Sequence, residues 1–598
     1  MKREARSEFG WFNPRVCVAV VLCSLGGGLA VLGLAARPAS EHAAESSYRN
    51  GGVTATTTAP TFTVNSTADV VAAAPLDNGS CETVTGNNFC TLRAAIMKAN
   101  HYPGGGATIN FGLPGVVTYS LTIPADGADN EATGDLNITS SMSIIGRGPS
   151  STIIDGNGSV TNARVLNNNG NGVSISGVTI QHGKSSNFGG GMLNNPNATL
   201  TLTNCIITNN TASGPNDWGG GIFNNGTFTL TNSTVSNNTT GNSNALGGGI
   251  YNQGPMTVAN STISGNTTPG QGGGLYHAGS TVTVRNSTIS GNTALSGGGI
   301  FKSGFTLLIV INSTISGNFS TGDGGGIFAV HGTTSLYNVT VTLNRANSDN
   351  AGSGMGGGIA NGADSTFDFV NSIIALNEKV IPTRPFPTLA LDDCSGAITS
   401  QGHNIMHTID PSYCTENGPV TIADPNLGPL QNNGGPTQTA GLLTGSPAID
   451  AGTSGGCTDN VGATLTTDQR GASRPFGSAC DIGAFEAQPR TTLANISTRL
   501  SVQTGDNVPI AGFIVTGTAP KRVIVRALGP SLNVGGVPVA GRVSDTTLEL
   551  IGPGGQIAFN DNWRSTQQAE IIASTVPPPN DLESAIIATL PASAGGIG

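Results

Sequence analysis

Polar positions in the middle of the chain recur at a fixed spacing. Asparagine stands at seven positions separated by 28, 28, 26, 26, 26 and 33 residues, and a second asparagine follows each one after six positions. An apolar residue lies two positions before the first asparagine of each repeat and another lies three positions after it. Such alternation is typical of short strands with one face turned inward. The first column is Asn204, Asn232, Asn260, Asn286, Asn312, Asn338 and Asn371, and the second is Asn210, Asn238, Asn266, Asn292, Asn318, Asn344 and Asn377.

Glycine triplets divide the repeats and predict turns. They begin at residues 189, 219, 247, 272, 297, 324 and 356, and an apolar residue follows each one. No helical periodicity fits between them, so each repeat holds about three short strands. Parallel strands need a crossover, and here the rest of each repeat supplies it. The pattern therefore predicts an all-β chain built on a right-handed parallel β-helix, the fold of the pectin lyase-like proteins.

The two asparagine columns have a physical explanation in such a coil. Asparagine tolerates the left-handed backbone conformation, and its side-chain amide bonds to nearby backbone. Stacked from rung to rung, the amides also hydrogen-bond to each other. We therefore expect both columns to lie at turns and to form amide ladders.

Composition narrows the functional classes. Charged residues make up 10% of the 598 residues and the net charge is −10. This argues against nucleic acid as a partner, because phosphate binding needs a basic surface. Between residues 183 and 322 the chain has one carboxylate, Asp217, and three basic residues, Lys184, Arg285 and Lys302. Neither the carboxylate pair of a glycoside hydrolase nor the base and calcium ligands of a lyase can stand there.

The ends of the repeat region carry more charge. One loop holds Asp126, Asp129, Glu131 and Asp135, and the late repeats hold Asp349, Asp364 and Asp368. Calcium is the cofactor that the loop would bind, but its spacing differs from an EF-hand and favours a solvated loop. The scattered histidines, which we expect at surfaces or turns between strands, are His182, His331, His403 and His407. No catalytic, cofactor-binding or metal-binding residue is assigned.

Aromatic residues form a further column. One follows the apolar residue after five of the triplets, where it should point outward: Phe223, Tyr251, Tyr276, Phe301 and Phe328. A stack of rings would stabilise the coil. A flat aromatic stripe would also bind sugar rings. Both interpretations stay open, and stabilisation is favoured.

The amino terminus and the cysteines predict export. Residues 1–45 hold a basic start and an uncharged apolar stretch, as in a signal peptide or a membrane anchor. Most of the cysteines beyond this segment have one other cysteine close by in the sequence. In an exported chain such pairs indicate local disulfides. These pairs are Cys81 with Cys90, Cys394 with Cys414, and Cys457 with Cys480, and Cys205 is left over.

Three segments resemble known families. CTLRAA at 90–95 resembles the CSLREA domain of exported bacterial β-helix proteins, and Leu92, Ala95, Ile96 and Ala99 predict an amphipathic capping helix there. The GGGI repeats are similar to those of chlamydial polymorphic outer-membrane proteins, which implies a surface adhesin. SPAIDAG and TTDQRGASRPFGSACDIGAFE, at 446–452 and 466–486, resemble the choice-of-anchor domain that closes such coils.

Charged residues in that last motif invite a catalytic interpretation. They are Asp468, Arg470, Arg474 and Asp481. We favour ion pairing that orders a compact cap. The segments are then 1–45 for export, 46–110 as amino-terminal cap, 111–425 as β-helix, 426–490 as closing segment, and 491–598 as a β-sandwich-like module that we expect to be incomplete.

The expected function is a monomeric, exported surface protein that binds polysaccharide or host-surface glycans without catalysis. Contact with a membrane is expected only through the amino-terminal segment or a surface anchor. A lyase or hydrolase of acidic polysaccharides is the first alternative, and a purely structural stalk is the second.

Overall fold

The computed structural model describes residues 58–590 apart from 128–129, 216, 353, 384–385, 489–520, 535, 553–554 and 575. The predicted export segment, 1–45, lies outside these residues. The described chain is mostly β and winds into a parallel coil with three sheets, which confirms the predicted fold.

The first sheet contains two strands from most turns of the coil. Its strands are Thr61–Val64, Ala107–Phe111, Leu136–Ile138, Met142–Ile145, Leu166–Asn168, Val173–Ser176, Met192–Asn194, Thr199–Thr203, Ile222–Asn224, Thr227–Thr231, Ile250–Asn252, Met256–Ala259, Leu275–His277, Val282–Arg285, Ile300–Lys302, Leu307–Ile311, Ile327–Tyr337, Ile359–Val370, Cys394–Ser400 and Cys414–Asn417. Early turns therefore have four short strands rather than the three predicted, because a corner interrupts the first sheet. In Ile327–Tyr337 and Ile359–Val370 the two segments merge into one strand.

The second and third sheets have one strand per turn. The second consists of Val117–Ser120, Thr152–Asp155, Thr179–Gln181, Ile206–Thr208, Thr234–Ser236, Thr262–Ser264, Thr288–Ser290, Thr314–Ser316, Thr340–Thr342, Ile373–Ala375, Ile405–Met406 and Thr421–Ile422. The third consists of Lys184–Ser185, Thr211–Ala212, Thr239–Thr240, Thr293–Ala294, Phe319–Ser320, Arg345–Ala346, Glu378–Ile381 and the antiparallel Thr388–Leu391.

Aliphatic side chains fill the coil in register. Leu230 pairs with Val258, Val258 with Val284, and Val284 with Val310, and all four are fully buried. The alternation around the first asparagine thus places one apolar column of each sheet in a continuous core. In a solenoid each turn packs mainly on the turns before and after it. Burial of apolar side chains between successive turns is therefore the main source of stability.

A helix covers the start of the coil. It spans Leu92–His101, and the Thr91 side chain caps its first turn by accepting a bond from Ala94 N at 3.1 Å. Leu92, Ala95, Ile96 and Ala99 are buried in the core, as their spacing predicted. Two further short helices, Gly158–Thr161 and Gln568–Ala573, lie elsewhere in the chain.

The closing segment was expected to cap the end of the coil, and this predicted position was wrong. It contains the antiparallel strands Leu427–Gln431 and Thr439–Leu442 and lies along the flank of the coil. Thr288 Oγ1 donates to Gln438 O at 2.6 Å, Thr314 Oγ1 donates to Gln469 Oε1 at 2.6 Å, and Thr340 Oγ1 accepts from Ala484 N at 3.1 Å. These threonines are outward residues of three consecutive strands of the second sheet, so the segment runs across the turns.

The carboxyl-terminal part has its own small core. Strand Lys521–Ala527 pairs antiparallel with Ser584–Leu590, Leu548–Gly552 with Gly555–Asn560, and Asn533–Val534 with Val537–Pro538. The strands that the sequence predicts before Lys521 lie outside the described residues. Among the described helices, none is long and apolar enough to cross a membrane.

Candidate functional site

The second asparagine column forms a continuous buried ladder. Each Nδ2 donates to Oδ1 of the next member at 2.8–3.0 Å, and each backbone N–H donates to the same oxygen at 3.0–3.1 Å. Asp393 ends the ladder, accepting from Asn377 N and Nδ2 at 3.0 Å. Burial raises the pKa of Asp393 to about 6. This carboxylate was not predicted from the sequence, because it stands 16 residues after Asn377, outside the repeat spacing.

The first asparagine column behaves differently. All seven members have φ between +49° and +57°, as expected for turn residues. Amide contacts join only Asn312 with Asn286 at 2.9 Å and Asn371 with Asn338 at 3.0 Å, while Asn204 and Asn232 are exposed. In the second column the left-handed residue precedes the asparagine, for example Asn237 before Asn238. The expectation that both columns combine a left-handed turn with a full ladder was therefore wrong.

A third, inward ladder was not predicted. Asn168 donates to Asn194 at 2.8 Å, Asn194 to Asn224 at 2.7 Å, and Asn224 to Asn252 at 2.6 Å. In the next two turns His277 and Lys302 pair with the same position, and both are fully buried. The signal was present in the sequence as a polar residue two positions after the apolar residue that follows each of the first five triplets.

Two ionisable side chains, Lys302 and His277, are buried at this inward position of the coil. Lys302 Nζ donates to Gly304 O at 2.7 Å and to His331 O, so its ammonium ties two successive turns together. Burial lowers the pKa of Lys302 to about 8. Burial, followed by the nearby Lys302, lowers the pKa of His277 to about 4, so His277 is neutral at pH 7.

Three side chains lie next to one another on the outside of the coil, close to Lys302. The Phe305 ring lies on the His331 imidazole with a centroid distance of 4.5 Å and an interplanar angle of 16°. His331 pairs in register with Asp364 of the following turn, and its Nδ1 lies 3.9 Å from Asp364 Oδ2. Phe305 is 77% exposed. This exposed group of aromatic ring, imidazole and carboxylate is the candidate site, and we call it the Phe305 corner.

The outward aromatic column offers no flat surface to a sugar. Phe223, Tyr251, Tyr276 and Phe301 are only 3–8% exposed. Their rings stack face to face, with centroids 4.8–5.2 Å apart and interplanar angles of 5–12°. Because the rung spacing matches ring stacking, each face is covered by the neighbouring ring. The burial of these four rings favours the stabilising interpretation of the column. Phe328, its fifth predicted member, is half-buried and meets the Phe301 ring edge-on at 78°.

Carboxylates outside the Phe305 corner are largely occupied by internal partners. The buried Asp217 accepts from Gly241 N and from the backbone and side chain of Asn242. Glu131 accepts from Asn100 Nδ2 at 2.8 Å, and Asp135 pairs with Arg164 at 2.8 Å. Arg93, paired with Asp69 at 2.6 Å, binds the carbonyls of this loop at Glu131, Gly134 and Asp135. The second half of the loop is thus anchored, whereas residues 124–127, including Asp126, are exposed, as the prediction of a solvated loop has it. Asp129 lies outside the described residues.

The charges of the closing segment form a buried network. Arg474 pairs with Glu486 at 2.8 Å with neither side chain exposed, and Arg470 pairs with Asp468 at 2.6 Å. Arg474 also donates to Asn312 Oδ1 at 3.0 Å, which fixes the segment to the coil. Asp481 accepts from Asp450 N and Ala487 N, and burial raises its pKa to about 6. The network orders the segment, as the sequence analysis favoured, with Glu486 as a partner that it missed.

Histidines and cysteines fall into structural positions. His182 is exposed at a turn and contacts Asp155 at 2.8 Å, and His403 is exposed at a turn near Ala451 O, while His407 is half-buried. The three predicted disulfides are present, with Cα–Cα distances of 5.1–5.8 Å. Cys205 is free and buried. The described residues contain no group of three or more His, Cys, Asp or Glu side chains that could hold a metal ion.

The outer face of the first sheet is lined with hydroxyl groups. Parallel pairing aligns one outward position through seven consecutive turns, and every residue there is serine or threonine. The column is Thr108, Ser143, Ser174, Thr201, Thr229, Thr257 and Thr283. The side chains of this column can donate and accept hydrogen bonds and carry no charge.

Comparison with known proteins bears on the fold. A crystal structure of pectate lyase Pel9A is similar over 71% of this chain and 97% of its own, with 16% sequence identity and a TM-score of 0.34. That likeness is too distant to carry an argument about activity. No curated protein matches the chain. Residues 153–346 match the family model described as "Right handed beta helix region" and, with their parallel sheets and stacked core, form a right-handed parallel β-helix.

Proposed function

We propose that this chain is an exported, non-catalytic surface protein that binds glycans along its coil. The observation that carries the proposal is the column of seven serine and threonine residues on the outer face of the first sheet, together with the exposed ring of Phe305 in the turn that follows the last member of the column. Sugars are recognised by hydrogen bonds to their hydroxyls and by stacking on aromatic faces. Three disulfides fit an oxidising compartment.

The two carboxylates of the strand Ile359–Val370 are too far apart to act as a glycosidase pair. Asp364 and Asp368 are four residues apart on one strand, which separates their backbones by about 13 Å. The carboxyl pair of a glycosidase lies about 5–9.5 Å apart. The flank-bound closing segment, with its likeness to the choice-of-anchor domain, would serve attachment rather than chemistry.

The full chain tests this proposal in one experiment with two readouts. Native electrophoresis through gels containing galactomannan, xyloglucan, mixed-linkage β-glucan or polygalacturonate measures binding as retardation. Incubation with the same polysaccharides, with and without calcium, measures cleavage as new reducing or unsaturated ends. We expect retardation without cleavage. Cleavage would establish an enzyme, and the absence of both would favour a structural stalk.

A further inference from the structure

The coil is open at the end that follows its last turn. Ile374, Met406 and Ile422 are successive members of one core column. The first two are fully buried, whereas Ile422 is 53% exposed. Val420 packs against the same core and is only partly buried. Because the closing segment lies on the flank of the coil, it does not cover Ile422, and apolar surface remains at this end.

The last strand of the first sheet, Cys414–Asn417, also has a free edge. It pairs with Cys394–Ser400 and, among the residues that the structure describes, with no other strand. Gly396 N donates to Tyr413 O. Because successive residues of a parallel strand bond to opposite sides, the backbone N–H and C=O of Glu416 point to the free side. A free strand edge of this kind is a template on which another strand can pair.

Glu416 places a carboxylate at an inward position of this last strand. It pairs with Ile398, which is fully buried in the core of the preceding turn. Glu416 Oε1 is shielded from solvent and has no hydrogen-bond partner in the described part of the chain. A carboxylate in such a place costs stability, so packing does not explain it. An inward-pointing charge is one of the devices that keep a free strand edge from pairing.

We propose that Glu416 prevents two copies of this chain from pairing through the open ends of their coils. The helix Leu92–His101 covers the other end of the coil, so a second copy offers Cys414–Asn417 the same edge in return. Two identical edges related by a twofold axis pair antiparallel, and their inward faces stay on the same side. The two Glu416 side chains would then lie on that inward face in neighbouring strands, where like charges repel and water is excluded.

Removal of this charge would turn the end of the coil into an interface. An aliphatic residue at position 416 would extend the core column beyond Ile398. The exposed Ile422 adds apolar surface at the same end of the coil, which association with a second copy can remove from water. Assembly through this end does not depend on glycan binding.

Size-exclusion chromatography with light scattering, applied to the full chain, tests the role of Glu416. The wild type should be monomeric, and Glu416→Ile should lower the dissociation constant of a dimer about tenfold or more. Glu416→Gln removes the charge but keeps the shape, and should shift that constant in the same direction. Thr415→Ile is the matched control, because it puts the same aliphatic residue on the exposed face of the same strand, and it should stay monomeric.

Glu416→Pro separates the effect of the charge from that of the strand edge. This change removes the carboxylate together with the N–H that faces the free side, so the variant should stay monomeric. If Glu416→Pro dimerised as strongly as Glu416→Ile, pairing through the strand edge would be overturned.

Other outcomes would overturn the role of Glu416 itself. They are a dimeric wild type, dimerisation of Thr415→Ile equal to that of Glu416→Ile, and charge-free variants that stay monomeric. Far-ultraviolet circular dichroism establishes that each variant is folded, and Glu416→Gln decides if Glu416→Ile is not. Slow hydrogen exchange of the Glu416 amide in the monomeric wild type would show that another part of the same chain covers the edge, and would overturn the proposal as well.

Discussion

Single asparagines at equivalent turns have unequal roles in this coil. Asn266 is buried, accepts from Asn238 N and Nδ2 and donates to Asn292, whereas the side chain of Asn260 is partly exposed at a left-handed turn. Sequence position alone made the two columns look alike. The difference arises because one corner points its amide into the coil and the other points it outward.

This contrast predicts the effects of a matched pair of glycine substitutions. Asn266→Gly removes the side-chain oxygen that accepts from Asn238 N and Nδ2 and the amide that donates to Val235 O, although Asn238 Nδ2 keeps its bond to Ile207 O. It should lower the free energy of unfolding by about 2–5 kcal/mol. Asn260→Gly keeps a residue that favours positive φ and should cost less than about 1 kcal/mol. Urea unfolding with amide exchange at the affected turns measures both. Equal losses would contradict the ladder as a source of stability.

Asp393 gives the ladder a pH dependence. Its pKa is raised from 3.8 to about 6 by burial, so the folded chain holds this proton more tightly than the unfolded chain. The free energy of unfolding should therefore be highest below about pH 4 and fall as the pH rises towards 6. A shift of this size corresponds to about 3 kcal/mol. Asp393→Asn should reduce the slope over that window without abolishing it, because Asp481, whose pKa burial also raises to about 6, still contributes. An unchanged slope in urea titrations would contradict the assignment.

Among the elements, the closing segment depends on one buried ion pair. Arg474→Ala leaves Glu486 charged, buried and unpaired, which should cost about 3–5 kcal/mol and release residues 427–487 from the coil. Arg285→Ala is the control, since its contact with Asp459 of the same segment spans 4.0 Å and is half-exposed. Limited proteolysis and amide exchange report the release. Continued protection of the segment in Arg474→Ala would refute this dependence.

The core strands could be predicted from the sequence, whereas the docking of the closing segment could not. The core residues Leu230, Val258 and Val284 follow from local alternation, because each strand buries one face whatever its neighbours are. Docking of the closing segment does not, since Thr288 and Gln438 are 150 residues apart and look like ordinary surface residues. The Phe305 corner needed the register between turns, which places the Phe305 ring on His331 of the following turn.

The glycine triplets illustrate the same limit. The sequence predicted turns at the triplets, but each glycine of a triplet is required for a different structural reason. Gly297 has φ +62°, a Cβ on Gly298 would lie 2.4 Å from Phe319 O, and one on Gly299 would lie 3.1 Å from the Asn318 amide. The second and third causes involve residues that come later in the same turn, Asn318 and Phe319, and a Cβ on Gly299 would also lie 2.5 Å from Gly326 O of the next turn. They become visible only when the whole turn is closed.

For the whole molecule, the turn is the unit of folding, and this leads to a deletion experiment. Removing residues 261–286 takes out 26 residues, the interval between two first-column asparagines, and joins Asn260 to Ser287. Asn238 then meets Asn292, the aliphatic columns stay continuous, and the strands that bind the closing segment remain. Because each turn contacts only its neighbours, we expect a folded, shorter coil with unchanged β-sheet circular dichroism and a modestly lower melting temperature. Removing residues 261–273 deletes half a turn and brings outward positions onto the core, so it should abolish cooperative unfolding. If both deletions behaved alike, the stability of this chain would not reside in register between turns.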